Sequence, residues 1–482
     1  MRSTLRSWNQ RRRSRTGMPD SAATGLPRAH PPPRPNVVLI VADDLRADDL
    51  AAMPAVHTHL VAQGTTFTQC LTATPGCAPA RASILRGQYP HNHGVLRGNG
   101  PRGGFGRFRE QGHETSTLAT WLHNAGYRTA LIGKYLNAYP IGAAPTHLPP
   151  GWDEWAAATK GGYTGFELNE NGSLTRYRRR EAAYQTDVLA AKAIDFVTRS
   201  AQQARPFFAY IAPRAPHGTA TAAARHDGMF AEESLPSPPS FNVADAAHKP
   251  RWLHGLDPLT DADIAGIEQT YRDRLATLQA LDELVANLLT ALEKAGVLHN
   301  TYLVFTSDHG YHLGEHRIPE GKGTPYEEAI RIPLIVRGPG VPVRSANALV
   351  SLIDLAPTIA TWAGAAIPGF VDGRSLTPVL GGVAASWRRS VLVTHHHNRP
   401  TRTDGPPAFT ALRADDFSYV EYADGWRELY DLSADPHQLH NHLTTMAPAK
   451  AAPIALRLAA LRTCAGASCR TAEDAPLCAE RR

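Results

Sequence analysis

A cysteine at the start of a short predicted helix is the most reactive feature of the sequence. Residues 76–87 read Gly-Cys-Ala-Pro-Ala-Arg-Ala-Ser-Ile-Leu-Arg-Gly. Pro79 suits the first helical turn, and Gly87 is placed to end the helix about two turns later. The free N–H groups and positive dipole end of such a helix favour an anion, and Arg81 adds a guanidinium for oxyanions. The stretch predicts an acidified thiol at Cys77, with a structural cysteine before a surface helix as the alternative.

Acidic side chains follow two apolar runs that are typical of buried parallel strands. Asp43 and Asp44 come directly after residues 36–42, and Asp308 and His309 follow residues 302–307. The carboxyl ends of parallel strands meet at one edge of a sheet, where carboxylates without a cation would raise each other's pKa. Oxygen ligands favour calcium or magnesium, and an imidazole ligand would admit manganese. The pattern predicts a divalent metal site, against the alternative of a solvated turn after a strand.

Cationic side chains are predicted at the same edge. Lys134 follows the strand 127–132, His217 follows the strand 206–212, and Lys322 lies in a glycine-rich loop. Together with Arg81, these groups would surround an anion near a metal, which describes a sulfate or phosphate ester in transfer. Taken singly, Lys322 is also compatible with an exposed loop and His217 with a loop cap.

Five further histidines are interpreted as surface or rim residues. They are His91, His93, His395, His396 and His397.

Strands and helices alternate through most of the chain, which predicts an α/β fold with a largely parallel sheet. Helical periodicity covers residues 117–125, 182–200 and 261–295, and the leucine stripe of the last is interpreted as core. From about Trp387 the pattern changes to short strands, followed by a helix over 451–462. We therefore predict a disordered leader (1–34), a catalytic domain (35–385) and a smaller C-terminal domain (386–482) with a short antiparallel sheet and a helix.

Charge and hydropathy exclude two classes of partner. The net charge is +6, but eight arginines and one aspartate lie in residues 1–34, so the remaining chain is near neutral and predicts no nucleic-acid binding. The sequence has no run of about 20 apolar residues, so it predicts no membrane-spanning helix. Arg11–Arg13 resemble a twin-arginine export signal, but no apolar region follows, so localisation stays open. Translation from Met18 instead of Met1 is an alternative start.

The cysteine count is odd. Of five cysteines, Cys464, Cys469 and Cys478 lie near the C-terminus, and Cys70 and Cys77 near the predicted helix. Cys464 and Cys469 are predicted either to form a small loop disulfide or to remain reduced.

The motifs together resemble the sulfatase family. Cys77, Pro79 and Arg81 match its Cys-x-Pro-x-Arg signature, and the other motifs follow in the family's order over residues 36–465. They are Asp43-Asp44, Gly126-Tyr127-Arg128-Thr129, Gly133-Lys134, Pro216-His217, Asp308-His309-Gly310 and Lys322. The stretches 133–137, 149–152 and 184–189 look most like the N-acetylglucosamine-6-sulfatase branch.

The resemblance implies a fold, a modification and a set of roles. The fold would be an alkaline-phosphatase-like α/β/α sandwich. Cys77 would be oxidised to formylglycine (3-oxoalanine) by a formylglycine-generating enzyme, and its hydrate would attack sulfur. The implied calcium ligands are Asp43, Asp44, Asp308, His309 and the modified Cys77. Arg81, Lys134 and Lys322 would neutralise developing charge, and His217 or Lys322 would protonate the leaving alcohol.

Two positions depart from the family pattern. Many sulfatases have histidine where this sequence has Leu136, which leaves the base for sulfate elimination unassigned. Many have asparagine where this sequence has His309, which bears on the identity of the metal. The expected substrate is the sulfate ester of a sugar or aryl alcohol. The alternatives are a phosphonate or phosphodiester hydrolase on the same fold, and a catalytically dead glycan-binding relative.

Overall fold

The structure is a computed structural model that describes residues 34–180, 183–382, 387–396 and 406–476. Residues 1–33 of the predicted leader, both alternative start methionines, the predicted boundary at 385/386, His397 and Cys478 lie outside these residues. The division into domains therefore stays a prediction.

The described residues form strands and helices in alternation for most of their length. The strands are β1 (Asn36–Ala42), β2 (Thr65–Leu71), β3 (Arg128–Gly133), β4 (Glu154–Lys160), β5 (Phe166–Glu170), β6 (Ser173–Tyr177), β7 (Phe207–Ala212), β8 (Thr301–Ser307), β9 (Arg331–Arg337), β10 (Arg344–Ala346), β11 (Val350–Ser351), β12 (Ser390–His395), β13 (Phe409–Ala414), β14 (Phe417–Tyr422) and β15 (Arg427–Asp431). The helices are α1 (Pro54–His59), α2 (Cys77–Arg86), α3 (Pro90–His93), α4 (Gly104–Glu110), α5 (Leu118–Asn124), α6 (Gln185–Ala201), α7 (Arg251–His254), α8 (Asp261–Lys294), α9 (Glu327–Ile330), α10 (Leu355–Ala363), α11 (Thr377–Leu380), α12 (Pro448–Thr463) and α13 (Ala467–Asp474).

A large mixed sheet forms the centre of the fold. Its strand order is β10-β2-β9-β8-β1-β7-β3-β4-β5-β6, with β11 also paired to β2. The five strands β8, β1, β7, β3 and β4 are mutually parallel, whereas β9 runs antiparallel to both β8 and β2. The predicted parallel arrangement is confirmed for the strands that carry the motifs.

Helices cover both faces of this sheet. Alternate residues of β1 point to opposite sides: Val37, Leu39 and Val41 pack with α2, α5 and α10, whereas Val38 and Ile40 pack with α6 and α8. The result is the predicted three-layer α/β/α sandwich. Continuous apolar strands such as β1 are buried on both faces because each face is covered by helices.

Helix α8 is the long core helix that the leucine stripe predicted. Thr260 caps it by accepting a hydrogen bond from Asp263 N. By length and composition alone, this is the single helix in the described part of the chain that could cross a membrane, yet 72% of its apolar window is buried inside the protein. Such burial is what a leucine stripe packed against a sheet requires.

A separate four-stranded antiparallel sheet, β12-β13-β14-β15, follows in the C-terminal part, as predicted. Its apolar face packs with α12 and with Leu71 and Tyr89 from the earlier part of the chain. Cys464 and Cys469 form a disulfide, which decides between the two alternatives left open by the sequence. Of the other described cysteines, Cys70 and Cys77 are free and buried.

Candidate active site

The polar residues that follow four neighbouring parallel strands converge at one edge of the sheet. β1 and β8 pair so that Ala42 lies opposite Ser307, which brings the following acidic pairs side by side. β7 and β3 lie next in order, and the residues after them complete the edge. The residues placed there are Asp43, Asp44, Lys134, His217, Asp308 and His309.

Backbone conformation fixes two of these positions. Asp44 has a φ of 69°, in the left-handed region, and Arg274 donates a hydrogen bond to its carbonyl oxygen at 2.6 Å. Gly133 has a φ of 116°, and a Cβ there would lie 2.1 Å from the carbonyl oxygen of Ala212. Only glycine allows β3 to approach β7 this closely just before Lys134.

Helix α2 brings Cys77 and Arg81 to the same edge. Gly76 is its N-cap and Gly87, with a φ of 65°, ends it, as predicted. Every residue of the helix is buried, so its N-terminus points into the site and not to solvent. Arg81 is fully buried, and its guanidinium donates to Asp308 Oδ2 at 2.9 Å and to the carbonyl oxygen of Lys134 at 3.2 Å.

The Cys77 thiol lies among charged groups. Its Sγ is 3.2 Å from His309 Nε2, 3.3 Å from Lys322 Nζ and 3.9 Å from Asp44 Oδ1. Burial alone would raise the pKa of this thiol, but Lys134 and Lys322 outweigh burial and lower the pKa to about 6. The same environment would therefore stabilise an anionic oxygen in place of the sulfur.

Each aspartate after β1 has its own lysine. Lys134 Nζ lies 2.5 Å from Asp43 Oδ2, and Lys322 Nζ lies 2.6 Å from Asp44 Oδ1. Burial raises the pKa of both carboxyl groups, yet nearby cations outweigh it. For Asp43, chiefly Lys134 and Arg81 hold the pKa well below its usual value, and for Asp44 chiefly Lys322 lowers it to about 2. Both carboxylates are therefore ionised.

The two histidines of the site are held at different depths. His309 is fully buried, and although burial lowers its pKa, Asp308, Cys77 and Asp44 together raise the pKa to about 9. The side chain of His217 is 27% exposed, with Nε2 3.8 Å from Asp44 Oδ2. Burial lowers the pKa of His217, but Asp43, Cys77 and Asp44 raise it above its usual value overall.

Comparison with known proteins identifies the family. The sulfatase family profile matches residues 35–365. The chain belongs to the sulfatase family. The profile of the N-sulphoglucosamine sulphohydrolase C-terminal region matches residues 314–461. The predicted family, fold class and enzyme class, a sulfuric ester hydrolase, are confirmed.

Relatives of this sulfatase include sugar sulfatases. It is 34% identical to N-acetylglucosamine-6-sulfatase of Capra hircus, over 91% of this chain and 85% of that protein. The human N-acetylglucosamine-6-sulfatase is also 34% identical, over 91% and 86%. A solved structure described as a complex with its substrate D-glucosamine-2-N,6-O-disulfate is similar with a TM-score of 0.76 and 25% identity, covering 89% of this chain and 97% of that one. Phosphonate monoester hydrolase from Silicibacter pomeroyi has a TM-score of 0.71 and 26% identity, covering 88% and 93%.

The sulfatase site contains a cluster that could hold a divalent cation. Four side chains each offer a ligand atom, and these atoms lie within 4.8 Å of one another; they belong to Asp43, Asp44, Cys77 and His309. Asp43 Oδ1 is buried and has no hydrogen-bond partner among the described residues, so it is available as a ligand. Asp308 is not one of these four residues, and its oxygens accept from Arg81 and from two backbone N–H groups. Its predicted role as a ligand stays a prediction.

One residue of the sulfatase site was missed by sequence reasoning. Arg274 of α8 is 1% exposed and donates to the carbonyl oxygens of Asp44 and Pro216, so it joins the ends of β1 and β7. The available signal was its register: Arg274 lies three residues after Tyr271 and four before Leu278, on the apolar face of the helix. A lone arginine on such a face predicts a buried partner.

The interpretation of the rim histidines was wrong for His93. His93 is fully buried behind α2, where its Nε2 lies 3.1 Å from Ser83 Oγ and its Nδ1 accepts from Val95 N. His395 and His396 are half-buried and line a cavity beside Cys77. Leu136 is 3% exposed and packs in the core, so no basic group stands at this position.

Proposed function

We propose that this sulfatase hydrolyses the sulfate ester of a sugar through a formylglycine formed at residue 77 and a calcium ion. The observation that carries the proposal is the environment of Cys77 Sγ, which stands where an oxygen of the hydrated aldehyde would stand. Lys322, His309 and the aspartates after β1 surround it at the N-terminus of α2. The N-acetylglucosamine-6-sulfatases among its relatives support a sulfated amino sugar as the substrate class.

Formylglycine and a divalent cation would each supply a defined chemistry. Hydrated formylglycine would supply one hydroxyl to attack sulfur and a second whose loss of a proton would expel sulfate and restore the aldehyde; a serine has no second hydroxyl. A divalent cation, when bound, lowers the pKa of a hydroxyl and neutralises the charge of the sulfate. Asp43, Asp44 and His309, with residue 77, would hold the cation, and Asp308 is proposed as a further ligand. The carboxylates favour calcium, with magnesium as an alternative, whereas the imidazole of His309 would admit manganese.

The lysines and Arg81 have different tasks. Lys134 and Lys322 are 19% and 25% exposed at their side chains and can reach a sulfate bound over residue 77. They would neutralise the charge that develops on its oxygens. Arg81 is fully buried between Asp308 and Asp43, so it acts by holding those carboxylates and not by contacting the substrate.

His217 is proposed as the acid that protonates the leaving alcohol. It is the more exposed of the two site histidines, and Asp43, Cys77 and Asp44 raise its pKa, which favours the protonated form that a general acid needs. Lys322 is the alternative donor, but although burial lowers its pKa, Cys77 and Asp44 raise it overall, which makes Lys322 a weaker acid. The base for sulfate elimination stays unassigned.

A second candidate, hydrolysis of a phosphonate or phosphodiester, is favoured by one observation: the similarity to phosphonate monoester hydrolase at 26% identity. The same cations would receive a phosphoryl oxygen. A catalytically dead glycan-binding protein is disfavoured because the nucleophile, the acid groups and the lysines are all present at one place.

The test combines a mass measurement with turnover. Protein made with a formylglycine-generating enzyme is digested with trypsin, which should release Ala47 to Arg81 as one peptide carrying the lighter aldehyde residue. This protein should hydrolyse N-acetylglucosamine 6-sulfate and nitrophenyl sulfate faster than a nitrophenyl phosphodiester. Cys77→Ala should lower kcat by about 10⁴-fold or more because the nucleophile is lost. An unmodified thiol in protein that still turns over the phosphodiester would reject the proposal in favour of the second candidate.

A further inference from the structure

Two buried tyrosines lie behind the active site and have no part in the chemistry described above. Tyr163 lies between β4 and β5 and is 3% exposed, and Tyr184 directly precedes α6 and is 2% exposed. Their rings are stacked, with centroids 5.8 Å apart and an angle of 19° between the ring planes. The backbone N–H of Gln185 also donates to the carbonyl oxygen of Tyr163 at 2.7 Å. Tyr163 and Tyr184 therefore form one packed unit, which we name the tyrosine pair.

The hydroxyls of the tyrosine pair both bind the loop that carries His217. Tyr163 Oη donates to the carbonyl oxygen of His217 at 2.7 Å, and Tyr184 Oη donates to the carbonyl oxygen of Thr221 at 2.9 Å. Residues 213–223 of this loop belong to no helix or strand, so no regular ladder of backbone hydrogen bonds holds them. The two hydroxyls therefore fix the loop after β7 at His217 and at Thr221.

The ring of His217 is oriented by the same piece of backbone. Its Nδ1 lies 2.6 Å from the carbonyl oxygen of Gly218, which can only accept, so Nδ1 carries the hydrogen and donates. Arg214 Nη2 donates to the same carbonyl oxygen at 3.0 Å. The other ring nitrogen, Nε2, faces the active site, 3.8 Å from Asp44 Oδ2. The direction of Nε2 therefore depends on the backbone that Tyr163 holds in place.

Tyr163 is placed to act through His217 and not on a substrate. Its side chain is almost fully buried, and its hydroxyl is engaged by a backbone carbonyl oxygen. Proton transfer from a side chain requires the donor atom within hydrogen-bond reach of the leaving oxygen, and a small displacement of that atom lowers the rate steeply. A hydroxyl that fixes the backbone of the acid can therefore control the rate without contacting the reacting atoms.

We propose that Tyr163 is a positioning residue of this sulfatase, which holds His217, with the support of Tyr184, so that Nε2 points at the oxygen of the departing alcohol. The inference rests on the proposed sulfatase function and on His217 as its acid. Loss of the Tyr163 hydroxyl should impair the departure of an alcohol that needs a proton and leave the attack on sulfur nearly unchanged.

The test compares two sulfate esters whose leaving groups differ in their need for a proton. The alcohol of N-acetylglucosamine 6-sulfate departs readily only when it is protonated, whereas nitrophenyl sulfate releases a stable anion. The measured quantity is kcat/KM, which includes the step in which the alcohol departs. Tyr163→Phe keeps the stacked ring and should lower kcat/KM for the sugar sulfate by about 10- to 100-fold. The value for nitrophenyl sulfate should fall by about twofold or less.

Tyr127→Phe is the matched control. Tyr127 is fully buried, and its hydroxyl donates to the carbonyl oxygen of Pro35 at 2.8 Å, at the opposite end of β1 from the active site. The control loses the same kind of hydrogen bond and should keep both kcat/KM values. An equal loss for the two esters in Tyr163→Phe, or a loss no larger than that in Tyr127→Phe, would overturn the inference.

A double variant tests whether Tyr163 acts through His217. His217→Ala should lower kcat/KM for the sugar sulfate by about 10²- to 10⁴-fold. Adding Tyr163→Phe to His217→Ala should cause no further loss, because no imidazole remains to be positioned. A full additional loss in the double variant would show that Tyr163 does not act through His217 and would reject the proposal.

Failure of the proposed function would be recognised separately. If aldehyde-bearing wild-type protein does not turn over the sugar sulfate, or if His217→Ala slows both esters equally, the sulfatase or acid assignment has failed. Hydrogen exchange then tests the positioning without turnover, since the His217 amide donates to the carbonyl oxygen of Arg214 at 2.9 Å. In peptic peptides that cover residues 214–221, this amide should exchange about tenfold faster in Tyr163→Phe and at the wild-type rate in Tyr127→Phe. Unchanged exchange in Tyr163→Phe would reject the inference.

Discussion

Two clusters of buried charge lie in this protein, and they are built differently. One is the active site, and the other is the C-terminal ion cluster formed by Asp354, Arg374, Arg388 and Glu473. In the C-terminal ion cluster, Arg388 donates to both oxygens of Asp354 at 2.6 and 2.7 Å and lies 3.2 Å from Glu473. Arg374 donates to the same oxygen of Glu473, Oε2, at 2.8 Å. Asp354 also accepts hydrogen bonds from two backbone N–H groups. In the C-terminal ion cluster every carboxylate oxygen of Asp354 and Glu473 accepts a hydrogen bond.

The active site contains similar residue types but leaves ligand positions open. In the active site, Asp43 Oδ1 is buried without a hydrogen-bond partner among the described residues and lies 3.7 Å from Arg81 Nη2. Cys77 Sγ lies 3.3 Å from Lys322 Nζ and 3.2 Å from His309 Nε2, so the site favours an anionic atom at this position. The comparison indicates that buried charge joins two parts of a chain where every carboxylate oxygen is hydrogen-bonded, and prepares a binding site where a carboxylate oxygen is left without a hydrogen bond.

The largest expected effect on stability comes from removing an arginine from the C-terminal ion cluster. Arg388→Met removes the shared cation and leaves Asp354 and Glu473 buried without it, which should cost about 3–5 kcal/mol of unfolding free energy. Urea denaturation followed by circular dichroism measures this loss. The kcat of the remaining folded protein should change little, because Arg388 does not contact the site. A loss below about 1 kcal/mol would show that the cluster does not hold the C-terminal part in place.

Removing a lysine from the active site should lower the reaction rate and leave the stability of the fold nearly unchanged. Lys134→Ala should lower kcat/KM for nitrophenyl sulfate by about 10²–10³-fold, since it removes a cation aimed at developing charge. Its melting temperature should change little, because Lys134 is partly exposed and Arg81 still neutralises Asp43. Lys160→Ala, which removes an exposed lysine paired with Glu167, is the control and should change neither quantity. Comparable losses of rate and stability would make Lys134 structural.

The difference between the two clusters also explains what the sequence could predict. The site residues follow apolar strands at their carboxyl ends, so a local pattern predicted where Asp43, Lys134 and Asp308 would lie. The C-terminal ion cluster joins residues that are far apart in the sequence, such as Asp354 and Glu473, and no local pattern links them. Arg274 and His93 were missed or misplaced for the same reason: their partners come from other elements. The positions of His395 and His396 beside Lys322 depend on how the C-terminal sheet packs on the rest of the protein. The hydrophobic periodicity of the sequence does not predict that packing.

Calcium should bind in the active site, at the carboxylates that follow β1. At a concentration of about 100 times its Kd, the ion should stabilise the fold by about 2.7 kcal/mol, because it binds only the folded site. Differential scanning calorimetry with calcium and then with a chelator measures the shift. Asp44→Asn should abolish the calcium-dependent part, whereas Asp48→Asn, which changes an exposed aspartate nearby, should retain it. An equal shift in both variants would place the ion elsewhere.

The smallest effect concerns His93, which connects α2 to the loop behind it. Its Nδ1 accepts from Val95 N, so the neutral ring donates from Nε2 to Ser83, and protonation would remove the acceptor. Burial, with His113 and Arg86 nearby, holds the pKa of His93 well below 6.5. The folded state therefore binds fewer protons than the unfolded chain, and stability is present above pH 6.5 and is lost as pH falls below it.

The resulting loss should reach about 2 kcal/mol at pH 5 from His93 alone. Burial, followed by Arg86, lowers the pKa of His113 to about 4, so this residue adds to the slope in the same direction. Urea unfolding between pH 5 and pH 8 should show a shallower slope for His93→Gln than for wild type, with the part due to His113 retained. The exposed His57→Gln variant should keep the full slope. Because α2 carries both Ser83 and Cys77, a slope unchanged in His93→Gln would mean that the buried histidine does not hold the catalytic helix in place.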